Sequence, residues 1–265
     1  MTFAEMMALD ARSADRFAAA AAPYPWGYLY GGHVVAQAVR AAAATVPAEE
    51  GIHSMHAYFL RAGEVGKTLD LSVDRVRDGR SFSVRSVVAS QGGRALARVL
   101  ASFHVEEASD DHSPLDAPRA LKPEELASDG WSALFDRRYA PVSDPAQTLA
   151  WLRLDEDLGE DRVLQACALA YVADDVFDDP VIGMLGLRRS APDAHAGPDG
   201  SVSTQSLDYS IWYHAPEAAD GWLLHDFRCT LLSNACALVS GEVFAADGAH
   251  LATVAQQVLV RKVRQ

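Results

Sequence analysis

Apolar residues recur at helical spacing in two stretches of this chain. From His33 to Val46 they are Val34, Val35, Ala38, Val39 and Ala42, opened by Gly31-Gly32 and stopped by Pro47. From 161 to 176 they are Val163, Ala166, Cys167, Ala170 and Tyr171. Acidic residues from Asp155 to Asp161 precede that run, where the helix dipole favours negative charge. Each predicted helix has a face of small residues, which lets another backbone approach closely. Between and after them the period shortens to that of strands. Four strands are expected at 53–61, 67–77, 81–91 and 94–105, with tight turns at Arg77-Asp-Gly-Arg80 and Gln91-Gly-Gly-Arg94. The second half predicts strands at 149–154, 203–214, 222–230, 234–245 and 250–262, with Asp247-Gly248 turning the last hairpin.

The halves follow one plan. His53 to Arg61 and Gln205 to Tyr213 open corresponding strand series, which close on the apolar runs Ala97–Val105 and Ala252–Val260. A repeat this long means two copies of one domain packed together, since a solenoid has a period of about 20–50 residues. The copies differ at polar positions. Asp208, Thr230 and Gln256 stand where the first copy has His56, Arg75 and Ala101, so one copy is expected to carry chemistry and the other shape. An N-terminal unit at 1–106, a linker at 107–145 and a C-terminal unit at 146–265 are expected. Residues 106–145 are acidic at first and punctuated by Pro114, Pro118, Pro123, Pro141 and Pro145, with a short helix possible near 129–138. Residues 177–200 read as a long loop. One helix against one curved antiparallel sheet, twice over, is an α+β layer solution.

Composition narrows the function. The chain of 265 residues is 49% hydrophobic and carries a net charge of -13 with a pI of about 5.0. Nucleic acid is not an expected partner, because phosphate binding needs a basic footprint. Three cysteines, Cys167, Cys229 and Cys236, fit a reducing compartment and lack metal-ligand spacing. There is no apolar run of membrane-spanning length and no basic segment at the N-terminus, so a cytoplasmic location is expected. His53 and His56 lie three apart on a strand and point to opposite faces. His104, His214, His225 and His250 show no ligand spacing, and surface or core roles are expected for them. No metal and no organic cofactor is expected. The Gly-x-Ser-x-Gly elbow of serine hydrolases is missing.

Three blocks together are more specific than any one: Gly31-Gly-His-Val-Val-Ala-Gln-Ala38, His53-Ser-Met-His-Ala-Tyr-Phe-Leu-Arg61 and Arg77-Asp-Gly-Arg-Ser-Phe82. With Ser206-Leu-Asp-Tyr-Ser-Ile-Trp-Tyr-His214 and Ala252-Thr-Val-Ala-Gln256, they make the chain similar to the acyl-CoA thioesterase II (TesB-like) family over about residues 23–106 and 146–262. The resemblance implies a double hot-dog fold, two helices each wrapped by a sheet. It also implies hydrolysis of acyl-CoA to free fatty acid and CoA by a water that an Asp, a Thr and a Gln activate. By position these are Asp208, Thr230 and Gln256. Backbone N–H groups of Gly32 and His33, at a helix start, are expected to hold the oxyanion. Among the local basic residues Arg75, Arg77, Arg80, Arg85, Arg94 and Arg98, the arginines Arg77 and Arg80 are candidate anchors for the CoA phosphates. Trp26, Tyr28 and Tyr30 are candidates to line or lid the mouth of an acyl tunnel.

A non-catalytic acyl-CoA binding or regulatory protein on the same scaffold is the competing function. The bulky run Leu231-Leu232 after Thr230 favours it, because the family continues there with small residues. A hydratase is a third reading, for which no acid–base pair is evident. A homodimer or tetramer is expected, with acyl-CoA as the small-molecule partner.

Overall fold

The computed structural model describes residues 1–24, 28–110, 112–187, 202–216, 219 and 221–262. The first helical period becomes α2 (Gly31–Ala43) and the second α3 (Arg162–Ala173). The Asp161 side chain caps α3 by accepting from the Leu164 N–H at 2.9 Å. Two shorter helices, α1 (Phe3–Met6) and α4 (Asp179–Met184), complete the set among the described residues. α4 occupies part of the stretch that reads as loop, because its Pro180 suits a first helical turn.

The strands of the first half are β1 (Asp10–Ser13), β2 (Arg16–Ala19), β3 (Glu50–Phe59), β4 (Leu69–Asp78), β5 (Phe82–Gln91) and β6 (Arg94–Val105). Those of the second half are β7 (Phe135–Ala140), β8 (Gln147–Leu154), β9 (Val202–Ser206), β10 (Asp208–Tyr213), β11 (Leu223–Ser233), β12 (Cys236–Ala245) and β13 (His250–Lys262). All join one antiparallel sheet in the order β1-β2-β4-β5-β6-β3-β10-β13-β12-β11-β8-β7, with β9 paired to β13. The halves meet at β3 and β10, where Ser210 faces His56 and Trp212 faces Ser54. The sheet curves around α2 and α3, which pack on each other, and one buried core runs through both halves. This is the double hot-dog arrangement.

Within residues 107–145 one expectation changes. The stretch 129–138 is not helical; its end forms β7, because Phe135, Arg137 and Ala140 are buried while neighbours between them are wetter, and the segment pairs with β8. The segment expected as a linker also covers part of the sheet's outer face. Ala117, Ala120 and Leu126 pack on Trp151, Leu224 and Phe244, and Trp151 Nε1 donates to the Leu121 carbonyl at 2.9 Å.

Candidate active site

The strand expected over 203–214 breaks at Leu207 into β9 and β10, and that break shapes the site. Leu207 N–H donates to the Gln257 carbonyl at 2.9 Å, and Phe59 N–H donates to the Leu207 carbonyl at 3.0 Å. Beside the break opens a cleft of about 530 Å³. It lies between the N-terminus of α2, the end of β3, the residues after α3, and the β9 segment.

Asp174 stands at the C-cap of α3 and lines this cleft. Its Oδ1 accepts from Gln256 Nε2 at 2.7 Å, and its carboxylate also accepts from the Gly32 backbone N–H. Burial pushes its pKa up to about 7; the Gln256 and Gly32 donors pull against that rise, while neighbouring Asp175 adds to it. Among the described residues no cation pairs with it. Asp175 differs, because it bonds both the Tyr24 hydroxyl and the Arg137 guanidinium. Two adjacent carboxylates therefore have separate environments: Asp175 is tied to a guanidinium, while Asp174 has the character of a base working near neutral pH.

The paired glycines let α2 come this close. A Cβ on Gly32 would lie 2.6 Å from the Tyr30 ring and 2.7 Å from the Tyr171 carbonyl oxygen, and one on Gly31 would lie 3.0 Å from Asp174 Oδ2. Tyr30 is pinned by its hydroxyl, which donates to the Tyr171 carbonyl at 2.7 Å. Tyr28 and Tyr30 line the cleft, whereas Trp26 lies outside the described residues.

Of the three polar residues singled out in the sequence, only Gln256 faces inward. Its side chain is fully buried, and its Oε1 lacks a protein partner among the described residues. Asp208 opens β10, where Tyr209, Ile211 and Tyr213 alternate into the core, so its own side chain falls on the opposite face. There its Oδ1 accepts from the Gln257 backbone N–H at 2.7 Å and clamps the strand break. Thr230 is also outward. It is exposed at an irregularity of β11, and its hydroxyl donates to the Leu238 carbonyl at 3.2 Å. None of the three lines the cleft itself; Gln256 reaches it through its hydrogen bond to Asp174.

The other candidates divide similarly. The Gly32 N–H is already engaged by Asp174, and the His33 ring is buried with Nε2 against the Ala20 carbonyl at 2.9 Å. Burial lowers the His33 pKa to about 4, so the ring is neutral. Gly31, which lines the cleft, is the first residue of α2, and the opening N–H groups of a helix have no partner within it. Arg77 and Arg80 sit at the β4–β5 turn. The Arg77 carbonyl accepts from Arg85, whose Nε donates to Thr45 just past the C-terminal end of α2. That places the turn about 20 Å from the helix start, at 1.5 Å per residue over α2. Arg85 is fully buried rather than part of a solvated patch, and it is held by Thr45, Asp78 and backbone carbonyls. Among the described residues, Arg61 is the arginine that lines the cleft. Cys167 is buried and its thiol pKa is pushed up to about 12 by burial, which removes it as a nucleophile.

Sequence reasoning missed Asp174. The available signal was an acidic pair, Asp174-Asp175, following an apolar run from Ala166 to Ala173 that leaves no exposed face. A carboxylate at the end of a wholly buried helix needs partners, and such sites are prone to shifted pKa values.

Residues 20–104 match the acyl-CoA thioesterase N-terminal domain, and residues 106–260 match the acyl-CoA thioesterase C-terminal domain. The chain belongs to the acyl-CoA thioesterase family. It is 32% identical over 268 residues to acyl-coenzyme A thioesterase 8 of Rattus norvegicus, covering 88% of this chain and 80% of the relative. The solved acyl-CoA thioesterase II TesB2 of Mycobacterium marinum superposes with a TM-score of 0.82 at 30% identity, covering 99% of this chain and 98% of that one. A hot dog fold protein from Alicyclobacillus acidocaldarius, 21% identical with a TM-score of 0.81 over 99% of this chain and 98% of that one, shares the fold. The activity is hydrolysis of acyl-CoA thioesters. None of the described helices is long and apolar enough to cross a membrane.

Proposed function

We propose that Asp174 is the general base of this thioesterase and that Gln256 positions it. The observation that carries this reading is the Asp174 carboxylate, lining the cleft without a cationic partner among the described residues and with its pKa raised to about 7. A thioester is already activated toward acyl transfer, so one oriented water and one base suffice; such proton transfer contributes about 10²–10⁴-fold. Asp174 takes a proton from the water as the water oxygen adds to the thioester carbonyl. The negative charge that develops on the carbonyl oxygen lies at the N-terminus of α2, where the Gly31 N–H and the helix dipole favour it. The tetrahedral adduct then collapses. The C–S bond breaks, the electron pair leaves with sulfur, and protonated Asp174 returns its proton to the thiolate. Acid and CoA thiol are the products, and the base is regenerated.

Ser206 and Thr204 border the same wall of the cleft. Thr204 is committed to Asp178, to which its hydroxyl donates at 2.8 Å; of the remaining lining hydroxyls, Ser203 and Ser206, the one beside the Leu207 break, Ser206, is assigned to the reacting water. Arg61 takes the role first given to Arg77 and Arg80, that of meeting the CoA phosphates at the mouth. Exposed Tyr58, Leu100, Trp212 and Leu238 on the outer face of the central strands support the expected homo-oligomer.

A carboxylate beside a thioester has one other route, direct attack to form a mixed anhydride. A single turnover with enzyme in excess, run in ¹⁸O-labelled water, tests for an anhydride that water opens at the Asp174 carbonyl. General-base attack puts the label in the released acid in the first turnover. Label found on Asp174, with unlabelled acid released, overturns the general-base assignment.

A further inference from the structure

Spacing along the chain gives His214 and His250 no common role, but strand register brings them together. Trp212 of β10 pairs with Thr253 of β13, Thr253 pairs with Glu242 of β12, and His214 N–H donates to the Leu251 carbonyl at 2.8 Å. The ligand atoms of His214, Glu242 and His250 consequently all lie within 4.8 Å of one another. We propose that these three side chains form a divalent-metal site, of the two-imidazole, one-carboxylate composition that suits zinc.

The surrounding contacts support a built site. His250 Nε2 lies 2.7 Å from Glu242 Oε2, the Thr253 hydroxyl donates to the same oxygen at 2.6 Å, and His214 Nε2 lies 3.0 Å from Thr253 Oγ1. The two imidazole rings are 4.4 Å apart between centroids, and the His250 ring rests on Phe244 at 5.1 Å. Zinc bonds of about 2.0–2.1 Å in a tetrahedron place ligand atoms roughly 3.4 Å apart. The present separations bracket that value, so small side-chain rotations seat the ion. On binding, the ion replaces the proton between His250 Nε2 and Glu242. The imidazole proton then sits on Nδ1, which faces Ser113 Oγ at 3.3 Å. A hydrogen bond to the second ring nitrogen is the usual way a protein orients a histidine ligand.

The site is not part of the thioesterase chemistry. Glu242 and Thr253 face away from the buried Val243 and Ala252, on the opposite side of the sheet from Asp174. Ser113 belongs to the strap that crosses this face, and His214 begins the turn after β10. One ion there pins the strap, the turn and the β12–β13 hairpin at a common point, and it binds the folded chain in preference to the unfolded one.

The test is zinc binding to chelator-treated full-length protein, read by competition with a fluorescent zinc chelator and by the visible spectrum of the cobalt(II) form. Wild type is expected to bind one zinc ion per chain and give the intense bands of tetrahedral cobalt. At a hundredfold excess over Kd, its Tm is expected to rise by about 5 °C. Glu242→Gln keeps the hydrogen-bond geometry, and with His250→Ala it is expected to weaken zinc by about 100-fold or more. His53→Ala, beside His104 on β6, leaves it unchanged. Metal-free Tm values identify any variant that fails to fold, in which case Glu242→Gln decides. No stoichiometric zinc, or equal affinity in wild type and Glu242→Gln, overturns the site.

Discussion

Asp174 and Gln256, 82 positions apart, meet side chain to side chain at 2.7 Å in the interior. One ends the central helix of the C-terminal half and the other lies on its longest strand, so the contact exists only when helix and sheet are assembled. The amide is a donor to a carboxylate that burial would otherwise hold protonated. Gln256 therefore favours the ionised, basic form of Asp174 without neutralising it as an arginine would.

The rate should follow ionisation of Asp174. With its pKa at about 7, kcat is expected to rise with pH along a limb centred near that value and to level off above it. A limb centred near 4 would mean that the base is an ordinary exposed carboxylate.

The same group makes stability depend on pH in the opposite sense. The folded pKa lies above the unfolded value of about 3.9, so the native state binds more protons between the two. Its contribution is fully present below about pH 4 and is lost as pH rises through about 7. Denaturant unfolding from pH 4 to 8 should show a steeper decline in wild type than in Asp174→Asn, with parallel curves contradicting the burial argument.

Gln256→Leu removes a donor to the ionised carboxylate and puts an apolar side chain of similar size in its place. The pKa of Asp174 should rise further, moving the acidic limb of kcat to higher pH. The plateau should fall by about 10–100-fold through loss of positioning. A purely structural role for Gln256 would lower Tm and leave the limb in place.

At the mouth of the cleft, Arg61→Glu should raise KM for acyl-CoA, with a penalty that shrinks as salt is added. Arg77→Glu and Arg80→Glu, on a turn at the far end of α2, should leave KM within about twofold, the range of distant surface changes. Steady-state kinetics at low and high salt check both arms. A larger effect at Arg77 than at Arg61 would relocate the phosphate anchor.

Much of the scaffold was legible in the chain. Period alone located α2, and Asp-Gly and Gly-Gly turns placed β4, β5 and β6 within a few residues. The site was less legible because strand parity, not motif membership, decides which side chain enters the interior. Asp208 and Tyr209 are adjacent in one apolar block, and the tyrosine turns inward with its hydroxyl donating to the Ala170 carbonyl at 3.2 Å. The aspartate is left outside. Arg85 is the converse case, a charge that reads as solvated and is buried because Thr45 and Asp78 satisfy it. The His214–Glu242–His250 grouping depends on the register of β12 against β13, which no spacing within one strand reveals.

The most direct test compares Asp174→Asn with Asp208→Asn in acyl-CoA hydrolysis, following release of CoA thiol at saturating substrate. Asp174→Asn should lower kcat by about 10²–10⁴-fold in a folded protein. Asp208→Asn should keep kcat within about threefold and lose some stability at the β9–β10 break, within the ordinary range of about 0.5–3 kcal/mol. Full activity in Asp174→Asn, with activity abolished in a folded Asp208→Asn, would contradict the account.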